Sequence, residues 1–214
     1  RQMQCWANLP TGLTEKIILV DDASPNFPAE PIVQSIPLSQ PLELYRIQED
    51  IPWNMAGARN LGCSHAAGWI FMSDMDTLLP AVAAARLITP LPPEVGFYRL
   101  ERVSLPNRRR MVPSLVSLLF RRSHYDWIGG YDEDYAGYYG FEEFDFYQRL
   151  NRIANEWIRD DVAGEVTPPW MVTDARTRHL NRDAKRNHNL YLQKRAAGFT
   201  NPKSRLRFPW RRLL

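Results

Sequence analysis

Short apolar runs that end in paired acids, set between stretches of helical spacing, restrict this chain most. Lys16-Ile17-Ile18-Leu19-Val20 runs into Asp21 and Asp22, and Trp69-Ile70-Phe71-Met72 continues through Ser73 into Asp74-Met75-Asp76. A helical segment over 1–9, with Met3 and Trp6 on one side, precedes the first run. An Ala-rich helix over 55–67 precedes the second, and residues 42–47 alternate like a half-buried strand between them. Strands alternating with helices predict an α/β layer fold on a mostly parallel central sheet, whose ligands sit outside the carboxyl ends of the strands. Both acid pairs fall there.

Further along, Leu78-Leu79-Pro80 reads as a helix start, and 95–103 and 115–120 read as strands after a Pro-rich connection. Ser123 is expected to cap a short helix that ends at Gly129-Gly130. Asp132-Glu133-Asp134 reads as a solvated loop. From Glu142, Phe146, Leu150 and Ile153 recur at helical spacing, and beyond about 165 the pattern is less regular.

A chain of 214 residues buries about 70% of its unfolded surface, enough for one core. No apolar stretch approaches the roughly 20 residues that span a bilayer, and no targeting segment is visible; a cytoplasmic protein is expected. Cys5 and Cys63 alone exclude a disulfide framework and a cysteine-rich zinc site. Both read as small buried hydrophobes, and His65 and His124 as structural. Basic residues gather at Arg108-Arg109-Arg110 and from Arg176 to Arg212, which favours phosphate-bearing partners. Nucleic acid is not expected; the tail reads as a flexible basic segment in weak contact with an anionic membrane surface.

On a strand, Asp74 and Asp76 share one face. A hard cation such as Mg²⁺ or Mn²⁺ takes carboxylate oxygens and keeps positions open for substrate phosphates, so the pair predicts a nucleotide-diphosphate site. A second acidic cluster, Glu142, Glu143 and Asp145, stands in the first turn of a helix behind Tyr138-Tyr139-Gly140-Phe141. Acids there stabilise a helix N-terminus, and Asp145 can pair with Arg149. Adjacent glutamates behind a platform of rings also suit a sugar site, with Glu143 as general base toward an acceptor hydroxyl.

Over 17–150 the chain resembles the GT-A glycosyltransferases, above all inverting family 2 enzymes and the animal β-1,4-galactosyltransferases. The likeness lies in Val20-Asp21-Asp22-Ala23-Ser24, in Gly57-Ala58-Arg59-Asn60-Leu61-Gly62, in the DxD-like Asp74-Met75-Asp76, and in Gly129-Gly130-Tyr131-Asp132 through Gly140-Phe141-Glu142-Glu143-Phe144-Asp145. A fifth stretch, from Arg178-His179 to Asn187, is similar to the galactosyltransferase segment that carries a metal-binding His. The resemblance implies a GT-A domain over 1–165 and a C-terminal segment, 166–214, that completes the metal and acceptor site. It implies Mn²⁺ or Mg²⁺ on Asp76 and His179, with Asp74 on ribose or metal-bound water, and a UDP-sugar donor held by Asp21, Asp22 and Arg59. Glu143 acts as base and Glu142 positions a hydroxyl, while a glycan or other hydroxyl acceptor lies against Tyr139, Gly140, Asp145 and Trp170. Two departures stand out: Glu143 replaces the family's usual Asp, and Phe141 replaces its glycine. The competing readings are a nucleotidyl- or phosphotransferase and a non-catalytic sugar or nucleotide binder.

Overall fold

The computed structural model describes residues 1–166, 181–203 and 205–214. In chain order the elements are α1 (Gln2–Ala7), β1 (Ile17–Asp21), α2 (Ala29–Ser35), β2 (Leu42–Ile47), α3 (Met55–Ser64), β3 (Trp69–Met72), β4 (Thr77–Leu78) and α4 (Ala81–Leu87). They continue with β5 (Gly96–Ser104), β6 (Arg109–Met111), β7 (Leu118–Arg121), α5 (Arg122–Trp127), a 3₁₀ turn (Glu133–Tyr135), α6 (Glu142–Leu150), β8 (Asn155–Val166), α7 (Lys185–Ala196) and β9 (Trp210–Arg212).

The strands form two sheets, β1-β2-β9 and β3-β7-β5-β8-β4, with β6 paired on β5. The α/β layering is as expected, but the pairing is mixed. Among the described residues only β1–β2 and β5–β8 run parallel, while β9, β3, β4, β6 and β7 join antiparallel. The reason is connection length. Between β5 and β7 lies only the β6 hairpin, with no helical crossover, and a chain so connected returns antiparallel.

α3 starts where the Asn54 side chain accepts the Gly57 N–H at 3.2 Å. It lies close on the first sheet, because a Cβ at Gly62 would meet the Val20 side chain at 3.4 Å. Leu61 packs with Tyr45 and Ile47 on this side, while Ala56 and Cys63 join a core with Phe97, Phe120, Tyr131 and Phe146. In that core Tyr131 stacks on Phe146, centroids 4.0 Å apart, and both are fully buried. A ring so placed stabilises by about 3–5 kcal/mol against truncation.

Several local expectations change. Ser123 lies inside α5, whose flanking residue is Arg121. Asp132 and Glu133 are buried rather than solvated. Cys63 is buried and Cys5 half-buried, both as free thiols. The tail is docked: Arg205, Arg207 and Arg212 pair with Asp126, Glu133, Asp134 and Glu43, and β9 extends the β2 edge. No helix among the described residues is long and apolar enough to cross a membrane.

Candidate functional site

β3 ends at Met72, and the chain then turns, with the Thr77 N–H donating to the Asp74 carbonyl at 3.2 Å. Asp74 and Asp76 therefore occupy a turn between β3 and β4, not one face of a strand. Two carboxylates on a tight turn repel each other. Although exposed overall, Asp76 has its carboxyl raised above the ordinary range, first by desolvation and then by the charge of Asp74.

Arg59, projecting from the middle of α3, joins this turn to α6. Its Nη2 lies 2.7 Å from Asp74 Oδ1 and 3.2 Å from Glu143 Oε1. The guanidinium rests 5.1 Å from the Tyr131 ring centre, and the side chain is 9% exposed. Burial opposes its charge, and Tyr131, Asp74 and Glu143 more than offset that. The next residue, Asn60, faces the opposite way: its amide donates to the Tyr131 carbonyl and to Glu133, and its oxygen accepts from Tyr125 and the Tyr131 N–H. The Arg-Asn pair thus places one residue in the site and spends the other on the loop behind it.

The two glutamates at the head of α6 differ. Glu143 is partly open and ion-paired to Arg59. Glu142 is buried, its Oε2 has no partner among the described residues, and desolvation followed by the charge of Glu143 pushes its carboxyl up to about 7. Phe141 takes a left-handed conformation, φ 73°, just before them. Glycine adopts this region freely, whereas a side chain is strained there by about 1–3 kcal/mol. The ring is held by His188, stacked at 4.8 Å, and by Phe144 and Tyr191.

The loop before Phe141 is shaped by α7. The buried Asn187 amide donates to the carbonyls of Tyr135, Tyr138 and Gly140 at 3.1, 2.9 and 2.8 Å. Tyr139 meets Trp53 edge to face at 4.8 Å, and the Arg182 guanidinium lies over both rings. Trp53 is not among the expected residues, and Arg182 falls in the 178–187 stretch without an expected role of its own. The only sequence sign of Trp53 is an aromatic between Pro52 and the α3 cap, which is weak.

Asp21, expected to bind nucleotide, is turned inward. Alternation along β1 puts it on the face of Ile17 and Leu19, and its oxygens accept from the Ser24 and Ala29 N–H groups and from Arg46. Half-buried Asp22 follows it at the strand end. Asp145, expected near the acceptor, is 1% exposed and spent on Arg149 Nε and Nη2 at 2.9 and 2.6 Å. Asp74, Arg59 and Glu143 are thus brought together, with Asp76 and Glu142 beside them. His179 and Trp170 lie outside the described residues.

Asp74 and Asp76 supply the oxygen donors a hard divalent cation prefers, and their mutual repulsion is what such an ion relieves. In donor type and charge the pair fits one. Among the described residues no three His, Cys, Asp or Glu side chains are placed to hold a metal ion, so the donors described there are the carboxylate pair.

No protein-family model and no curated protein matches the chain. Solved structures do. Staphylococcus aureus TarS 1–349 superposes with a TM-score of 0.60 at 16% identity over 77% of this chain and 54% of that one. The same protein in complex with UDP gives 0.59 at 15% identity, over 91% and 66%. A Drosophila β1,4-galactosyltransferase 7 complex with manganese, UDP-Gal and xylobiose is more loosely similar, at 0.48 and 16% identity over 80% and 82%. The chain spans about half the length of the first TarS structure, and what it shares with TarS is the GT-A fold.

Proposed function

We propose that this protein is a divalent-cation-dependent glycosyltransferase that moves a hexose from a UDP-sugar to an acceptor hydroxyl with inversion at the anomeric carbon. The observation that carries the reading is the Arg59 bridge, because it ties the Asp74 turn to the acid-bearing head of α6 within one guanidinium's reach. The GT-A fold, and UDP bound to TarS, support the choice of donor.

Glu143 accepts the proton of the acceptor hydroxyl as that oxygen bonds to the anomeric carbon and the bond to the UDP oxygen breaks. A cation on Asp74 and Asp76, with His179 as a further ligand, supplies charge neutralisation for the departing diphosphate. Glu142, with its carboxyl near 7, holds a substrate hydroxyl as donor or acceptor. Asp22 contacts the uridine, while Tyr139, with Trp53 beside it and Trp170 from the segment that follows β8, forms the stacking wall for the sugars.

Incubation with UDP-glucose, UDP-galactose and their N-acetyl forms plus Mn²⁺ is expected to release UDP from one of them. EDTA is expected to abolish release, and Glu143→Gln to slow it by about 100-fold or more. Release of pyrophosphate or phosphate instead, or release indifferent to Glu143→Gln, would refute the assignment.

A further inference from the structure

We infer that Arg59 is a positioning residue that couples the cation seat to the general base: Asp74 and Glu143 share its Nη2, and a cation that takes up Asp74 transfers the guanidinium's hold to Glu143. The inference rests on the function proposed above and adds a linkage to it.

The arrangement differs from a static ion pair, and the same chain shows what a static one looks like. Arg149 is saturated, with Nε and Nη2 on Asp145 and Nη1 on the carbonyls of Ile128 and Gly130. Arg59 is less enclosed, its side chain 9% exposed against 2%, and it places two carboxylates on one nitrogen, 2.7 and 3.2 Å away, and leaves Nη1 without a partner among the described residues. The shorter contact gives Asp74 the larger share in the absence of a cation. Packed over Tyr131, the guanidinium has little room to withdraw toward solvent.

A divalent ion on Asp74 competes for the same oxygen and repels the guanidinium, so Arg59 bears more on Glu143. That keeps Glu143 aimed, as a base must be before it takes a proton. Linkage makes the effect reciprocal: whatever loosens Glu143 from Arg59 strengthens Arg59 on Asp74 and weakens cation binding by the same factor.

The test is Mn²⁺ affinity of the full chain without nucleotide sugar, by titration calorimetry or electron paramagnetic resonance. Glu143→Asp keeps the charge but is one methylene too short to hold Nη2. It is expected to weaken Mn²⁺ binding about fivefold or more, as Glu143→Gln does, with no change in melting temperature. In an Arg59→Met background, Glu143→Asp is expected to change affinity by less than about twofold, the direct field of the carboxylate being unaltered. If Arg59→Met does not fold, the partly exposed Glu143→Asp variant decides alone. Mn²⁺ binding by Glu143→Asp equal to wild type overturns the coupling and leaves the proposed function standing. Absence of Mn²⁺ binding by the wild type overturns both.

Discussion

Among the described carboxyl groups, Glu142 is the one whose surroundings most perturb its chemistry. Its carboxyl is raised from an ordinary 4.5 to about 7, so the folded chain binds this proton more tightly than the unfolded chain does. Stability from this group is therefore fully present below about 4.5 and is lost as pH rises through about 7, at a cost on the order of 3 kcal/mol above that. Glu142→Gln is expected to raise stability toward urea at pH 8 in EDTA by up to that amount, and to change it little at pH 4. Equal effects at both values would show that burial of the carboxylate is not what strains the site. Phe141 beside it illustrates what a sequence conceals. Phe in place of the glycine of the resembling enzymes reads as a simple change of side chain, whereas the backbone keeps a glycine-like φ of 73° and His188, Phe144 and Tyr191 grip the ring. Those partners lie up to 50 positions away and no local pattern announces them.

At the scale of elements, α6 combines two roles, the proposed site at its head and a buried anchor one turn later. Asp145 compensates Arg149, which is 2% exposed and braces the Ile128–Gly130 turn. Asp145→Asn leaves that guanidinium short of a counter-charge and is expected to cost about 3 kcal/mol in chemical denaturation. Full stability with altered acceptor preference would restore Asp145 to the sugar site. Among the elements legible in sequence, β1, β2, α3 and α6 owe this to apolar residues that keep the period of their structure. β8 and α7 escaped notice for the opposite reason. Residues 155–161 of β8 are mostly exposed, and α7 buries only Asn187, so neither carries an apolar stripe. The acid turn after β3 misled differently: the run of apolar residues is real, but it stops at Met72, two residues before Asp74.

For the whole molecule, the decisive contact is the capture of the tail by Glu133. This buried carboxylate accepts from the Asn60 amide at 2.7 Å and from the Leu206 and Arg207 N–H groups at 2.8 and 2.9 Å. Phe208 then covers Gly57, where a Cβ would meet its ring at 2.7 Å, and β9 pairs with β2. Glu133→Ala strands three donors and is expected to cost on the order of 2 kcal/mol. Hydrogen exchange at 210–212 should quicken strongly while α6 stays protected; unchanged protection there would show that β9 holds without the clamp. Acid triplets such as 132–134 read as solvated by composition, and only the partner 73 residues downstream reveals the clamp.

Because β9 completes a sheet begun at residue 17, a chain leaving the ribosome keeps the outer side of β2 bare until residues 210–212 emerge. During that interval Tyr45 and His65 lack the Trp210 ring that later closes over them. An unpaired strand edge of this kind invites association with other chains. Synthesis thus leaves that edge open from residue 47 until residue 210, and a cut anywhere between 200 and 209 would reopen it in the finished protein.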